Sequence, residues 1–227
     1  MASYFLGVCS ATGLISSPTA ISLLEIQASL KARGHELAYA IYSGADVVTA
    51  RNILAQLFLN SNADFFIGID DDVGISAQAF LAMVDAGYDC QLAIVPLRQL
   101  DLAKFAAQVR AGDDAATAQR NAAPPRALPV GQEYGFFPVE RGTTSFYIVA
   151  RSVYECLKRA NSHRSRISQT TDGRIEHWDF YDTGHDEHGN YLSTDYAFFR
   201  RVRSAGFQIH AYYGPGLSHS GQKTYNS

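Results

Sequence analysis

The stretch FFIGIDDDV, residues 65–73, joins a short run of large apolar side chains directly to three consecutive carboxylates. Phe65 to Ile69 are too few for an ordinary helix and offer no polar position, so they read as a strand covered on both faces. Such a strand belongs to a parallel sheet, because parallel neighbours need crossover connections and those connections cover both faces with helices. The flanking sequence agrees. Upstream, YFLGVC (4–9) and LAYAIY (37–42) are apolar and β-prone, and each precedes a helical pattern. In the first pattern Ile21, Leu24 and Ala28 share a stripe that Leu23, Ile26 and Leu30 widen, with Gly34 as a stop signal. In the second, Ser43 to Asp46 reads as a capping box ahead of Ala50, Ile53, Leu54, Leu57 and Phe58. Downstream, Ser76 can cap a helix that buries Phe80, Met83 and Val84 and ends at Gly87, and QLAIV (91–95) is a fourth strand.

Four strands alternating with three helices predict an α/β fold with a mostly parallel central sheet flanked by helices. Ligands bind such sheets beyond the carboxyl ends of the strands, and the triple aspartate stands at that edge. From Gln99 to about Glu140 the pattern dissolves, with Pro124-Pro125 blocking a continuous helix, and we read a flexible or partly helical insertion. Strand and helix return in TSFYIVA (144–150) and SVYECLKRAN (152–161), then helix and strand in DYAFFRRVRSAG (195–206) and FQIHAYY (207–213). Residues 174–194 between them are polar and aromatic together.

At 227 residues, with 47% hydrophobic and 18% charged residues, the chain has the composition of one packed domain and not of a disordered protein. No apolar run approaches the roughly 20 residues needed to cross a bilayer, and the N-terminus lacks the pattern of a signal peptide. The odd and scattered Cys9, Cys90 and Cys156 suggest neither a disulfide framework nor a zinc site, so a cytoplasmic protein without membrane partners is expected. The net charge of −3 is unevenly spread: residues 1–97 carry 3 basic and 9 acidic groups, and residues 98–174 carry 12 and 7. The middle excess lies in 141–174, at Arg141, Arg151, Lys158, Arg159, Arg164, Arg166 and Arg174.

Three adjacent carboxylates after a buried strand need a cation or many donors, because like charges at contact distance resist joint ionisation. Mg²⁺ or Mn²⁺ prefers carboxylate and water oxygens and often bridges to phosphates, so Asp70 and Asp72 are candidate ligands for a metal-bound diphosphate. A solvated acidic turn is the alternative.

FFIGIDDDV resembles the strand and DxD motif of GT-A-fold glycosyltransferases. TARNILAQLFL before it is similar to the ARN-containing helix of one group of these enzymes, and AIVPLR after it to that group's Y-P-x-R segment. GTTSFYIVARSVYECL, FYDTG, GNYLSTDYAFFRRVRSAG and LSHSG then follow in the group's order. The resemblance implies a single GT-A, Rossmann-like domain: 1–98 as the nucleotide-sugar half, 99–140 as the insertion and 141–227 as the half that binds acceptor and completes the metal site. It implies a nucleotide diphosphate sugar donor, a UDP-sugar first among them, and Mn²⁺ or Mg²⁺ as cofactor. Arg51, Asn52, Asp70, Asp71 and Arg98 are the implied donor-binding residues; Asp72, Asp70 and the late His219 are the implied metal ligands. Asp195 matches an acidic segment that faces the acceptor and, in inverting members, removes its proton. Here Thr194 replaces the preceding acid and Phe199 a cysteine, which leaves Asp195 as the candidate base and the stereochemical outcome open.

Trp178, Tyr181, Asp182 and Tyr191 combine aromatic faces with a carboxylate and are candidate acceptor contacts, half-buried loop anchors being the alternative. The basic stretch reads as a solvated helix face or as a contact for an anionic acceptor, and a hydroxymethylated base in DNA is then a candidate beside a glycan. His185 and His188 fit no zinc signature and read as loop residues. Two other functions remain open: a phosphohydrolase of the haloacid dehalogenase type, suggested by the Asp-x-Asp after a strand, and a non-catalytic nucleotide-sugar-binding module. Oligomeric state is not readable.

Overall fold

A computed structural model describes residues 1–44, 46–122, 133–160, 165–170 and 173–221. Its elements are β1 (Ser3–Ser10), α1 (Ser17–Ala32), β2 (Glu36–Ser43), α2 (Val47–Asn60), β3 (Phe65–Asp70), β4 (Val73–Ile75), α3 (Ala77–Ala86) and β5 (Cys90–Ala93). Then come α4 (Leu102–Ala111), α5 (Ala115–Ala122), β6 (Gly135–Val139), β7 (Phe146–Ala150), α6 (Arg151–Ala160), β8 (Ser165–Thr170) and β9 (Gly173–Trp178). The last are β10 (Gly184–His185), β11 (Tyr191–Leu192), α7 (Thr194–Ser204), β12 (Ile209–Tyr213) and β13 (Leu217–His219).

The central sheet has seven strands in the order β2-β1-β3-β7-β5-β12-β6. β2, β1, β3, β5 and β12 run one way, and β7 and β6 run against them. The fold is therefore α/β with a mostly parallel sheet flanked by helices, as the alternation of elements predicted. The reversed β7 sits centrally, between β3 and β5, where the pattern of four parallel strands gave no sign of an intruder. This reversal matters for the site: β7 begins at the edge where β3 ends, and the Asp70 amide donates to the Ser145 carbonyl at 3.0 Å.

Side chains alternate between two cores, as a strand period of two requires. Phe5, Phe66, Tyr147 and Val149 join α2, α6 and α7 on one face; Tyr4, Leu6, Val8, Ile67 and Ile69 join α1 and α3 on the other. Gly68 is needed here because a Cβ at that position would run into the ring of Tyr147.

Two local expectations are corrected. Ile21 and Leu24 are 56% and 67% exposed, and the face of α1 that meets the sheet is Thr19, Ser22, Ile26 and Leu30. The reason is hydrogen bonding. The Ser22 hydroxyl accepts from the Ile75 amide at 2.7 Å and donates to the Pro18 carbonyl, while Thr19 Oγ1 donates to the Asp71 carbonyl at 2.9 Å. The polar residues serve backbone groups of the β3–β4 turn, so Ile21 and Leu24 face outward while Ile26 and Leu30 of the same stripe stay in the core. The cap of α2 is Asp46 alone, whose carboxylate accepts from the amides of Val48 and Thr49, both at 3.0 Å.

Within 99–140 the chain forms α4, α5 and β6, and β6 pairs antiparallel with β12 at the sheet edge. Pro124-Pro125 and Arg164 lie outside the described residues. A β8–β9 hairpin overlaps the start of the polar segment before α7, and the sequence signals it only through Asp172-Gly173. Among the described residues, no helix is long and apolar enough to cross a membrane.

Candidate functional site

The triple aspartate lies where β3 leaves the sheet, and three distant pieces of chain converge on it. The Asp71 carbonyl accepts from the Ser16 amide, and the Asp72 carbonyl from the Ser220 amide, both at 2.7 Å. β4 then pairs antiparallel with β13, placing His219 opposite Val73 and so beside Asp72. Gly74 makes this approach possible, since a Cβ there would overlap the Ser218 hydroxyl.

His219 Nδ1 lies 2.8 Å from the Pro96 carbonyl, which can only accept, so Nδ1 carries the proton. Nε2 is then the lone-pair nitrogen. It lies 3.4 Å from Asp72 Oδ1 and accepts from Arg98 Nε at 2.9 Å. A second nitrogen of Arg98 donates to Asp72 Oδ2. Asp72 and His219 therefore aim a carboxylate and an imidazole at one point, and the guanidinium of Arg98 stands there. Gly221 leaves room for it, a Cβ at that position coming within 3.1 Å of the Arg98 Cδ.

On the inner side of the motif, Arg51 of α2 is buried and holds two carboxylates. It donates to Asp70 Oδ1 at 2.9 Å, Asp195 Oδ1 at 2.8 Å and Thr194 Oγ1 at 2.9 Å. Burial opposes the charge on Arg51, but Asp70 and Asp195 outweigh it and its pKa stands above the ordinary arginine value. Burial also raises the Asp70 pKa, with Arg51 pulling it back. Asp195 Oδ1 accepts further bonds from Thr144 at 2.6 Å and Thr194 at 2.9 Å. All of these reach one oxygen; among the described residues no hydrogen bond ends on Oδ2. Asp195 lies in the first turn of α7, behind the cap residue Ser193.

Two cavities open on this edge and share Asp70 and Arg98. One of about 420 Å³ is lined by Asp70, Val95 to Gln99, Thr143, Ser145, Asp195 and His219. The other, about 160 Å³, is lined by Cys9, Ala11, Val47, Arg51, Asp70 to Asp72 and Arg98. Burial pushes the Cys9 thiol up to about 11, so it behaves as an inert wall. A larger cavity of about 520 Å³ lies between α6, residues 182–185 and α7. Its lining includes Asp182, His185 and Arg200 but no residue of the triple aspartate.

The chain superposes on the solved structure of A197 from STIV with a TM-score of 0.50, covering 98% of this chain and 87% of that one at 17% identity. That likeness is one of fold. Also similar are a Drosophila β-1,4-galactosyltransferase 7 mutant complexed with manganese, UDP-Gal and xylobiose, and the inositol-1-phosphate CTP transferase of T. maritima. The first gives a TM-score of 0.48 at 14% identity, covering 100% of this chain and 77% of that one. The second gives 0.44 at 9% identity, covering 97% and 89%. No protein-family model matches the sequence, and no curated protein matches it either.

Of the residues singled out from sequence, Arg51, Asp70, Asp71, Asp72, Arg98, Asp195 and His219 surround the two cavities. Asn52 does not. It is 1% exposed, and its Oδ1 accepts from the amides of Phe180 and Tyr181 at 2.9 and 3.0 Å, so it braces the chain behind Arg51. Tyr181 is fully buried, its hydroxyl 2.7 Å from that of Tyr147 and bonded also to Tyr154, which corrects its expected role as an acceptor contact. Trp178 lies against Lys158, the ammonium 5.2 Å from the ring centroid. Asp182 lines the remote cavity and lies 3.4 Å from Arg166, and the exposed Tyr191 sits on β11 beside His185. Thr144 went unnoticed because its role depends on the reversed direction of β7.

The basic stretch is also largely engaged within the chain. Arg151 donates to the carbonyls of Phe58, Leu59, Ser61 and Ala63, closing the C-terminus of α2. Arg166 pairs with Asp179 at 2.8 Å, and Arg141 lies over the Tyr196 ring.

Among the described residues no three His, Cys, Asp or Glu side chains gather as a metal cage. The donor set of Asp72 and the Nε2 lone pair of His219 still fits a divalent cation, because a positive group already occupies their meeting point. A carboxylate oxygen with an imidazole nitrogen suits Mn²⁺ better than the oxygen-seeking Mg²⁺.

Proposed function

We propose that this chain is a metal-dependent glycosyltransferase that moves a sugar from a nucleotide diphosphate sugar, UDP-sugars being the first candidates, to a hydroxyl acceptor. The observation that carries this reading is the convergence of Asp72 and His219 Nε2 on the Arg98 guanidinium, at the carboxyl edge of the sheet and between two cavities. When bound, a divalent cation supplies Lewis-acid neutralisation of charge on a leaving diphosphate.

The protein's own groups account for the rest. Arg98, half exposed at 53%, is free to exchange its hold on Asp72 for a phosphate oxygen. The small cavity beside Asp70 and Asp71 suits the nucleoside side, and the larger one suits the transferred sugar and the incoming hydroxyl. Asp195 is the carboxylate placed to take the hydroxyl's proton: Arg51, Thr144 and Thr194 hold its Oδ1, which orients the other oxygen for that task. With Arg141, Arg151, Lys158 and Arg166 engaged, the positive face that made DNA attractive is reduced, which favours a glycan-type hydroxyl over a polyanion. In this reading the chain works as one domain, residues 1–98 holding the donor and 141–227 the acceptor and His219.

The test combines binding and turnover. UDP-sugars should raise the melting temperature with Mn²⁺ present and much less without it. Asp72→Asn should lower transfer about a hundredfold, on the order of 3 kcal/mol of transition-state stabilisation, with melting unchanged. Unchanged transfer by this variant refutes the metal assignment. Phosphate release from simple esters would instead indicate a phosphohydrolase, and binding without turnover a non-catalytic module.

A further inference from the structure

The cavity of about 420 Å³ that reaches Asp195 is of a size that encloses a small-molecule ligand. Part of its wall is apolar, at Val95, Pro96 and Leu97, which suits the C–H groups of a sugar ring. The polar part holds groups without partners. Among the described residues no hydrogen bond involves the hydroxyl of Thr143 or Ser145, and none ends on Asp195 Oδ2, because Oδ1 takes every partner of that carboxylate. Thr143 is only 9% exposed, so little water reaches it. Thr144, between the two, donates to Asp195 Oδ1 at 2.6 Å and does not line the cavity. The segment 143–145 thus divides its roles: the middle residue fixes the carboxylate, and the outer two border the space for a ligand.

A buried hydroxyl without a partner is costly, and a ligand that hydrogen-bonds to it removes the cost. Thr and Ser hydroxyls donate as well as accept, so they match sugar hydroxyls in either direction, whereas Asp195 Oδ2 only accepts. Charge narrows the ligand further. Asp70 and Asp195 line the cavity, and Arg51, which pairs with both, stands outside the lining. His219 is neutral in the tautomer its Nδ1 contact requires. Arg98 is the one arginine or lysine among the described lining residues, and it is engaged with Asp72 and His219. Once it turns to the diphosphate, a carboxylate on the sugar has no cation of its own and meets the charge of Asp195.

We propose that Thr143 and Ser145 are specificity-determining residues that read the hydroxyls of the transferred sugar, and that the cavity selects a neutral pyranose over a uronate. This inference rests on the nucleotide-sugar reading and names the class of sugar within it. The two hydroxyls supply attraction and Asp195 supplies repulsion, and discrimination between similar ligands draws on both.

Titration calorimetry on the full chain with Mn²⁺ tests this, using UDP, UDP-glucose and UDP-glucuronate, and in parallel GDP, GDP-mannose and GDP-mannuronate. Within each pair the sugars differ only in oxidation at C6, so the comparison isolates the carboxylate. In the series whose parent diphosphate binds, the neutral sugar nucleotide should bind at least about tenfold more tightly than the uronate. Thr143→Val and Ser145→Ala should each weaken the neutral sugar nucleotide about three- to tenfold. Affinity for the parent diphosphate should stay as it was, since neither residue lines the smaller cavity. Thr143→Ser, which keeps the hydroxyl, should restore the parent affinity. A uronate bound as tightly as the neutral sugar overturns the inference while the nucleotide-sugar reading stands. Variants that bind the neutral sugar nucleotide like the parent overturn it too, by taking the reading of the sugar away from Thr143 and Ser145. If neither UDP nor GDP binds, the nucleotide-sugar reading falls and this inference falls with it.

Discussion

The two ends of the triple aspartate are held by two arginines in opposite ways. Arg51 reaches Asp70 from inside the molecule, with 8% of its side chain exposed, and binds Asp195 and Thr194 with the same guanidinium. Arg98 reaches Asp72 from the solvent side, with 53% of its side chain exposed, and shares its grip with His219. Both are arginine–aspartate pairs on one short turn, yet their energetics differ. A buried pair that loses a partner leaves charge stranded in a poor solvent; an exposed pair loses little, because water replaces the partner. The inner arginine is therefore part of the frame, and the outer one is an exchangeable cation.

The sharpest way to break this contrast is Arg51→Met. It leaves Asp70 and Asp195 facing each other without their shared cation, and we expect a loss of about 3–5 kcal/mol in chemical unfolding. A loss no larger than that for an exposed pair would erase the distinction. Asn52→Ala tests the same frame one residue on. It orphans two backbone amides, at Phe180 and Tyr181, and should cost about 1–3 kcal/mol, with UDP-sugar binding in Mn²⁺ little changed. Loss of that binding without loss of stability would return Asn52 to the nucleotide. Arg98→Ala should be the mildest for stability, within about 1 kcal/mol. It should at the same time tighten Mn²⁺ binding in the absence of nucleotide roughly tenfold, read by the free-manganese resonance signal, because the competing guanidinium is gone. Weaker binding would make Arg98 a support of the site and not a placeholder.

The inner frame was only half legible in the sequence. Arg51 stood out through its ARN setting, but its partner Asp195 lies 144 residues away, and nothing local says that one guanidinium joins them. Asn52, its neighbour, is turned about 100° around the helix and meets the Phe180 and Tyr181 amides instead of the cleft. Tyr181 looked like a sugar platform and is a core residue, since aromatic loop sequences do not say which face the body of the fold will cover. The outer site was more legible. Asp72 and His219 were singled out by motif, and the sequence contained the short strands that pair them, though too short to be noticed. In α1 the helical stripe was legible and its Ile26 and Leu30 are in the core, but Ile21 and Leu24 face outward, because the hydrogen-bonding needs of a turn some fifty residues away put Thr19 and Ser22 against the sheet.

What the sequence by itself determined is therefore local and periodic: the alternation of strands and helices up to β5, the burial of β3 on both faces, and the three carboxylates that end it. These follow from side-chain period, caps and the apolar runs, all readable within a window of a few residues. Only the tertiary structure decided the reversal of β7, the junction of β4 with β13, the shared grip of Arg51 and the presence of Arg98 where Asp72 meets His219. Each of these is a contact between residues far apart in the chain. Their geometry is set by how the sheet is ordered and by which buried polar groups must find partners, conditions that no local stretch of sequence contains.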